Sequence, residues 1–143
     1  MSEKEIHDFF DRIDTLAANT KPMFGKMNVN QMICHCTDQI RLALNTIRAE
    51  EYGGLTSKEV MVLSSAGKTV PVAKGLGQVE GGGTQPTHFR NDVVLLKQHI
   101  LEFSQLDNDF VCGPHPYFGQ LNKAKWTRIT EYHLNYHLSQ FNV

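Results

Sequence analysis

Two histidines stand four residues apart near the end of the chain, in the segment EYHLNYHLSQF that spans residues 131–141. On a helix, residues at this spacing lie about 40° apart around the axis and one turn from each other. The imidazoles of His133 and His137 could therefore converge on one divalent ion, with Zn–N bonds of about 2.0–2.1 Å. The spacing alone leaves two interpretations open. These residues are either metal ligands or two hydrogen-bonded or half-exposed histidines.

A third ligand candidate, His35, lies on a second predicted helix. It follows the predicted N-cap, Asn28, by seven residues, which is about 10 Å along the helix axis. His133 and His137 precede Phe141 by eight and four residues, which places them about 12 and 6 Å from the end of their own helix. If the two helices are antiparallel, the three imidazoles lie at the same level. Three neutral histidines with an open fourth position are typical of catalytic rather than structural zinc sites.

Other motifs near these residues do not predict a site. Cys34 and Cys36 flank His35 but point about 100° away from it on either side, so we expect them to be buried structural residues. HLNYH lacks the glutamate that HExxH peptidases use as general base. AGKT at 66–69 ends like a phosphate-binding loop, but Val62 stands where the first glycine is required, and a flexible loop is the better interpretation.

The residues that could bind a metal must be positioned by helices, because hydrophobic residues recur at helical spacing and no strand pattern is present. The pattern predicts helices near residues 3–17, 29–49, 89–105 and 122–141. Asn28 and Gln31 could cap the second helix reciprocally, and Asn122 could cap the last. One face of the last helix carries Trp126, Ile129, His133, Tyr136, His137 and Gln140. We therefore expect an all-α fold, a four-helix bundle.

A glycine-rich segment separates the second predicted helix from the third. Eight of the eleven glycines fall between residues 53 and 88, together with Pro71 and Pro86. We expect one short helix near SKEVMVLSS and otherwise irregular structure, as a functional cover or a mobile segment of a single domain spanning residues 1–143. Two residues beyond it, His115 and Tyr117 in GPHPYFG, could reach the mouth of the bundle as hydrogen-bond donors or substrate contacts. Alternatively, His115 only shapes its turn.

Charge and composition exclude several classes of partner. The net charge is −1 and no stripe of Lys and Arg is present, which disfavours nucleic acid. No signal-peptide pattern opens the chain and no apolar run approaches the roughly 18 residues of a membrane span. The three cysteines lack CxxC spacing, so we expect no disulfide framework and a cytoplasmic location.

Two segments of the sequence, GKMNVNQMICHC and HPYFGQLNKAKWTRITEYHLNYHLSQF, resemble the DinB-like (YfiT-like) superfamily of metal-dependent bundles. More closely, they resemble the domain-of-unknown-function 1569 family. The resemblance implies a four-helix bundle with up-down-down-up connectivity and a three-histidine site for zinc or nickel at His35, His133 and His137. The chain departs from the family at Tyr136, where a second adjacent histidine is common, and at Val29, where proline is usual. Tyr132 and Tyr136 then become wall residues beside the site.

The resemblance also implies a chemistry. The open position on the ion would activate a thiol or water by lowering its pKa, in a transferase that uses a low-molecular-weight thiol or in a hydrolase. We rank thiol transfer first by analogy with the superfamily, with a small-molecule substrate and the glycine-rich segment as lid or specificity loop. A hypothesis of a different class is a non-catalytic bundle that binds a small ligand or partner without metal. Relatives often pair, and Phe9 or Phe10 of the first helix could serve a homodimer interface.

Overall fold

The computed structural model describes residues 1–143 and contains five helices and no strands. The helices are α1 (Glu3–Asp14), α2 (Val29–Ala43), α3 (Ser57–Ser65), α4 (Phe89–Gln105) and α5 (Lys123–Ser139). Both α1 and α2 pack against α4 and α5, which is consistent with a helical bundle. The short helix α3 confirms the one expected in the glycine-rich segment. None of the five combines the length and the apolar character that crossing a membrane requires.

The predicted N-caps are confirmed at both helices that carry the histidines. Asn28 Oδ1 accepts a hydrogen bond from Gln31 N at 2.8 Å, and Gln31 Oε1 accepts one from Asn28 N at 2.9 Å. Asn122 Oδ1 accepts from Lys125 N at 2.9 Å. These bonds satisfy backbone N–H groups that have no partner inside the helix. The caps therefore set the level at which each histidine lies.

Helix α2 ends at Ala43, six residues before the predicted end at 49. Asn45 adopts a left-handed conformation with φ of 61°. Its N–H donates to Leu42 O at 3.0 Å, and Thr46 N–H donates to Arg41 O at 3.0 Å. This pair of bonds is a Schellman motif, which satisfies the last carbonyl groups and turns the chain away. The prediction was wrong because the apolar residues continue past the turn.

The hydrophobic core lies between the four longer helices and is built around large side chains that are fully buried. Phe9 belongs to it, with only 4% of its surface exposed, so the expectation that it serves an exposed interface was wrong. Phe10 is partly buried against the same core. The largest buried residues are Trp126, Phe103, Ile13, Met32, Ile33, Ile40, Leu96, Ile100, Leu134 and Leu138.

Helices α2 and α5 are antiparallel, as the alignment of the histidines requires. Near the middle of α2, His35 contacts His133 and His137. One turn later, Gln39 Nε2 donates to Thr130 Oγ1 at 3.2 Å, which is earlier on α5. As the residue number increases along α2, the number of the contacting residue on α5 decreases, so the two helices run in opposite directions.

Part of the glycine-rich segment, residues 75–85, lies against α2, and we call it the strap. It is folded on itself, since Gly83 N–H donates to Gly75 O at 2.8 Å and Gly82 N–H donates to Gly77 O at 2.8 Å. A Cβ atom on Gly82 would lie 2.7 Å from the Gly75 carbonyl oxygen, so only glycine fits there. The strap is part of the connection between α3 and α4, and hydrogen bonds rather than helical structure hold its shape.

Candidate metal centre

The three candidate ligands come together between α2 and α5. One ring nitrogen from each of His35, His133 and His137 lies within 4.8 Å of the others. The closest pair is His133 Nε2 and His35 Nε2, 3.0 Å apart. The ring centroids of His133 and His137 are 4.3 Å apart, in an edge-to-face arrangement. These three residues form the histidine cluster, which is a group that could hold a metal ion.

His137 is held in one orientation by a residue on the next turn. Its Nδ1 lies 2.7 Å from Gln140 Oε1, which is an acceptor, so Nδ1 carries the proton. The backbone of Gln140 is tied to the loop before α2, because its main-chain carbonyl oxygen accepts a hydrogen bond from Met23 N at 2.6 Å. The Nε2 lone pair of His137 is therefore left for another partner. Metal-ligating histidines are usually arranged in this way.

The histidine cluster is electrically neutral near pH 7. Burial lowers the pKa of His35 to about 4, and burial together with the neighbouring His35 lowers the pKa of His137 to about 3. The pKa of His133 lies well below its ordinary value. Burial is the main cause, and repulsion from the positive charge that His137, His35 or His115 would carry when protonated adds to it. A neutral imidazole is the form that binds a metal ion, so no proton has to leave before binding.

The cluster fits a divalent ion in its chemistry, and its spacing needs adjustment. Nitrogens of a tetrahedral site with bonds of about 2.0–2.1 Å are about 3.3 Å apart, so the 3.0 Å pair has to open by a few tenths of an ångström, and any pair near the 4.8 Å limit has to close by more than about 1 Å. His133 Nδ1 is buried and has no hydrogen-bond partner. The histidine cluster therefore contains a buried nitrogen that no hydrogen bond satisfies. Three imidazoles suit zinc or nickel and leave a fourth position to another ligand.

His115 lies in the turn before α5 and has a defined proton position. Its Nδ1 accepts from Tyr117 N at 3.1 Å and from Phe118 N at 3.2 Å, so the proton is on Nε2. Its ring packs on Trp126, with centroids 5.1 Å apart. Burial lowers the pKa of His115 to about 4. This residue therefore shapes its turn, and its Nε2–H is a neutral donor.

The three predicted tyrosines differ in their relation to the cluster. Tyr136 packs edge-on against His137, with centroids 5.1 Å apart, and its hydroxyl lies 3.2 Å from Thr69 Oγ1. Tyr132 is 50% exposed and reaches the cluster only through Tyr136, on which it stacks at 6.4 Å. Tyr117 donates its hydroxyl to Pro71 O at 2.7 Å and does not contact the three histidines. Tyr136 is the wall residue, and residues 69–71 lie beside it.

The cysteines that flank His35 take no part in the cluster. Both are buried, and neither belongs to the group whose ligand atoms converge. Burial, with the charges of Asp92 and Asp38, raises the pKa of Cys34 to about 12. Burial also raises the pKa of Cys36. The sequence-based expectation of structural cysteines fits this environment.

A second buried polar group, which sequence reasoning missed, lies one turn further along α2. Asp38 Oδ2 accepts from Gln78 Nε2 at 2.7 Å and from Thr84 N at 2.7 Å, and Asp38 Oδ1 accepts from Thr84 Oγ1 at 2.6 Å. Arg41 Nη1 lies 3.7 Å from the same carboxylate. We call these four residues the aspartate cluster. The only local signal was an acidic residue three positions after His35, on the core side of its helix.

Comparison with known proteins extends to part of the chain. A model of the family described as "Protein of unknown function (DUF1569)" matches residues 85–143, which is less than half of the sequence. The match includes α4, the turn with His115 and all of α5 with two of the three histidines. No curated protein matches the chain. No solved structure matches it. The family description assigns no activity, so any function rests on the site itself.

Proposed function

We propose that this protein is an enzyme that depends on a divalent metal ion held by His35, His133 and His137. The observation that carries the proposal is the convergence of three neutral imidazoles from two antiparallel helices, with nitrogens of two of them 3.0 Å apart. A bound ion would supply Lewis acidity and lower the pKa of a coordinated thiol or water. Zinc or nickel is the expected ion, since both accept imidazole ligands readily.

We propose that the chain belongs to the DinB-like superfamily. The four longer helices would form its up-down-down-up bundle, and the site would be built from α2 and α5. Within that superfamily we rank a low-molecular-weight-thiol transferase ahead of a hydrolase, which is an argument by analogy. The free state of all three cysteines supports a reducing, cytoplasmic setting.

The residues around the histidine cluster have separable roles in this proposal. Gln140 orients His137, and Tyr136 closes one side of the site. His115 offers its Nε2–H to a substrate atom that gains negative charge, since it stays neutral and its ring is fixed. The chain's own cysteines are buried and burial raises their pKa, so a thiol nucleophile would have to be a small-molecule substrate.

A non-catalytic bundle without metal is the second candidate, and one observation favours it. His133 Nε2 and His35 Nε2 are within hydrogen-bonding distance, and His137 bonds to Gln140. Each of the three histidines therefore has a hydrogen-bond partner without a metal ion. Such a protein would bind a small ligand or a partner beside the cluster. The Nε2 lone pair of His137, which the bond from Nδ1 to Gln140 leaves for another partner, speaks against a purely structural role.

Metal content distinguishes these candidates. The untagged protein, purified without chelator, is expected to hold close to one divalent ion per chain by elemental analysis. His35→Ala and His137→Ala are expected to lose it, whereas His88→Ala, which changes an exposed histidine, should keep it. Substoichiometric metal in the wild type, or undiminished metal in both cluster variants, would rule the metal centre out and favour the non-catalytic bundle.

Thiol consumption tests the reaction class. The metal-loaded protein is expected to accelerate the reaction of a glutathione-type thiol with an electrophile, and removal of the ion should abolish the acceleration. His115→Phe should bind the ion normally and lower the rate by about 10- to 100-fold, because it removes one hydrogen-bond donor. A rate that is unchanged by metal removal would dismiss thiol activation while leaving the metal centre intact.

A further inference from the structure

Residues 54–72 of the glycine-rich segment, which include α3, are attached to the rest of the protein more weakly than the strap is. No residue of this range belongs to the hydrophobic core or packs against it, whereas Leu76 of the strap is a core residue. The one buried side chain of the range is Val60, and its neighbours Met61 and Val62 are exposed. Because little buried apolar surface holds this range in place, detaching it costs little free energy.

Three hydrogen bonds, all exposed to solvent, tie this range to the rest of the protein. Ser57 Oγ donates to Tyr117 O at 3.0 Å, and Tyr117 donates its hydroxyl to Pro71 O at 2.7 Å. The third bond joins Thr69 Oγ1 and the Tyr136 hydroxyl, which are 3.2 Å apart. Water competes for each of these groups, so the net contribution of each bond is small.

The two ends of the range are held more firmly than its middle. Just before it, Gly53 N–H donates to Pro116 O at 2.8 Å. Glu50 N–H donates to Lys74 O at 3.3 Å, which keeps the chain before the range close to the chain after it. The strap that follows is bound to Asp38. A segment with fixed ends and few contacts in between can move away from the protein as a unit.

The attachment points place this range beside the histidine cluster. At one end, Thr69 is bonded to Tyr136, the wall residue of the cluster. At the other end, the range is bonded to the turn that contains His115, whose ring packs on Trp126. Trp126 and Tyr136 are about 15 Å apart along α5, and His133 lies between them. The range therefore spans the part of α5 that carries the cluster.

We propose that residues 54–72 form a lid on the histidine cluster, which opens when the hydrogen bonds of Tyr117 and Tyr136 break and so admits ions and substrates. The passage of ions rests on the proposed metal centre, whereas the lid itself does not. The inference divides the glycine-rich segment, because the strap stays bound to Asp38 while the lid moves. Tyr136 then makes two separate contacts: its ring lies on His137, and its hydroxyl holds the lid closed.

Trypsin digestion of the metal-free protein tests how the lid is attached. Tyr117→Phe and Thr69→Val each remove a hydroxyl that holds the lid closed. Lys68 is an exposed residue of the lid. Cleavage after Lys68 should be about 3- to 10-fold faster in each variant than in the wild type, because cleavage follows the population of the open form.

Two controls accompany this digestion. Tyr132→Phe removes a hydroxyl that is near the cluster but does not bond to the lid, so it should be cut as the wild type is. Cleavage after Lys26, an exposed residue outside the lid, should be equally fast in all four proteins. Equal rates after Lys68 in all four proteins would overturn the lid. Faster cleavage at both lysines would also overturn it, since the variants would then loosen the whole fold.

The rates of zinc uptake and release, followed with a fluorescent chelator, test whether the lid controls access. Tyr117→Phe and Thr69→Val should speed both steps by the same factor of about 3 to 10 and leave the affinity unchanged, because one opening step precedes both. Unchanged rates would overturn the control of access. A changed affinity would overturn it too, since these residues would then shape the site itself. Absence of zinc binding in the wild type would refute the metal centre and with it the passage of ions, and the digestion would still decide whether the lid exists.

Discussion

Helix α2 carries two buried polar clusters one turn apart, and they differ in how completely their groups are paired. In the aspartate cluster, three hydrogen bonds and a nearby guanidinium surround one carboxylate. In the histidine cluster, three neutral rings face each other, one nitrogen has no partner, and no protein carboxylate contributes a ligand atom. The carboxylate of the first cluster is fully paired, although Gln78 Oε1 has no hydrogen-bond partner. In the second cluster, the ring nitrogens that face one another could be shared by an added ion.

This difference separates a structural role from a functional one. Buried polar groups that satisfy each other fix a single arrangement of the chain, and here they fix the strap to α2. Buried groups that leave lone pairs unused cost stability unless a ligand uses them. The comparison therefore predicts a large loss of stability from mutation at Asp38 and a small change from mutation at His133.

Acid should destabilise the metal-free protein through its neutral histidines. An unfolded histidine binds a proton with a pKa near 6.5, whereas His35 and His115 in the fold have a pKa of about 4. Between these values the unfolded chain binds more protons, so stability is full above about pH 6.5 and falls as the pH decreases. Each such histidine contributes about 1.4 kcal/mol per pH unit. Urea denaturation from pH 7 to pH 4.5 measures the slope, and a flat profile would contradict the neutral cluster.

Removing the carboxylate of the aspartate cluster should cost more stability than a substitution in the strap or in the histidine cluster. Asp38→Ala leaves the Thr84 N–H and the Gln78 amide without their acceptor, so the free energy of unfolding should fall by about 3–5 kcal/mol in urea denaturation. Asp14→Ala is the matched control, since the side chain of Asp14 is 63% exposed and its pair with Lys97 should contribute less than about 1 kcal/mol. A loss at Asp38 no larger than at Asp14 would show that the strap is not held there.

Two glycines of the strap separate backbone strain from contact with the aspartate cluster. Gly81 and Gly83 both have positive φ, of 82° and 60°, so alanine is strained by about 1–2 kcal/mol at either position. Only at Gly83 does the added methyl meet Asp38 and Gln78, whereas at Gly81 it meets nothing within 4 Å. Thermal denaturation should therefore show Gly83→Ala to be less stable than Gly81→Ala by about 1–3 kcal/mol. Equal losses would mean that residue 83 does not lie in close contact with Asp38 and Gln78.

The histidine cluster should respond weakly where the aspartate cluster responds strongly. His133→Leu removes a ring with an unpartnered nitrogen, so the free energy of unfolding of the metal-free protein should change by less than about 1 kcal/mol. Saturating zinc should raise the melting temperature of the wild type and leave this variant unchanged, because ligand binding to the folded state alone stabilises it. A loss of several kcal/mol without metal would identify His133 as structural instead.

The sequence predicts those features that depend on local spacing. The caps at Asn28 and Asn122 and the bounds of α4 follow from residues that interact within one turn. The meeting of His35 with His133 and His137 follows from the length of helix between each residue and its cap, provided that α2 and α5 are antiparallel. The sequence alone does not show that α2 and α5 are antiparallel. The hydrogen bond between Gln39 and Thr130, together with the contacts of His35, shows that they are.

Features that depend on distant contacts could not be predicted in this way. The bond between Asp38 and Gln78 joins residues 40 positions apart, and no local pattern marks Gln78 as buried. The end of α2 depends on a left-handed Asn45, which apolar periodicity does not register. Phe9 and Phe10 are adjacent aromatic residues, and only the packing of α1 against α4 and α5 determines which one enters the core.

The central claim, that the histidine cluster binds a divalent ion, is tested most directly by calorimetric titration of zinc into the metal-free, untagged protein. One site per chain is expected in the wild type and in His88→Ala, and no site in His35→Ala or His137→Ala. Absence of binding in the wild type, or an equal site in His35→Ala, would contradict it.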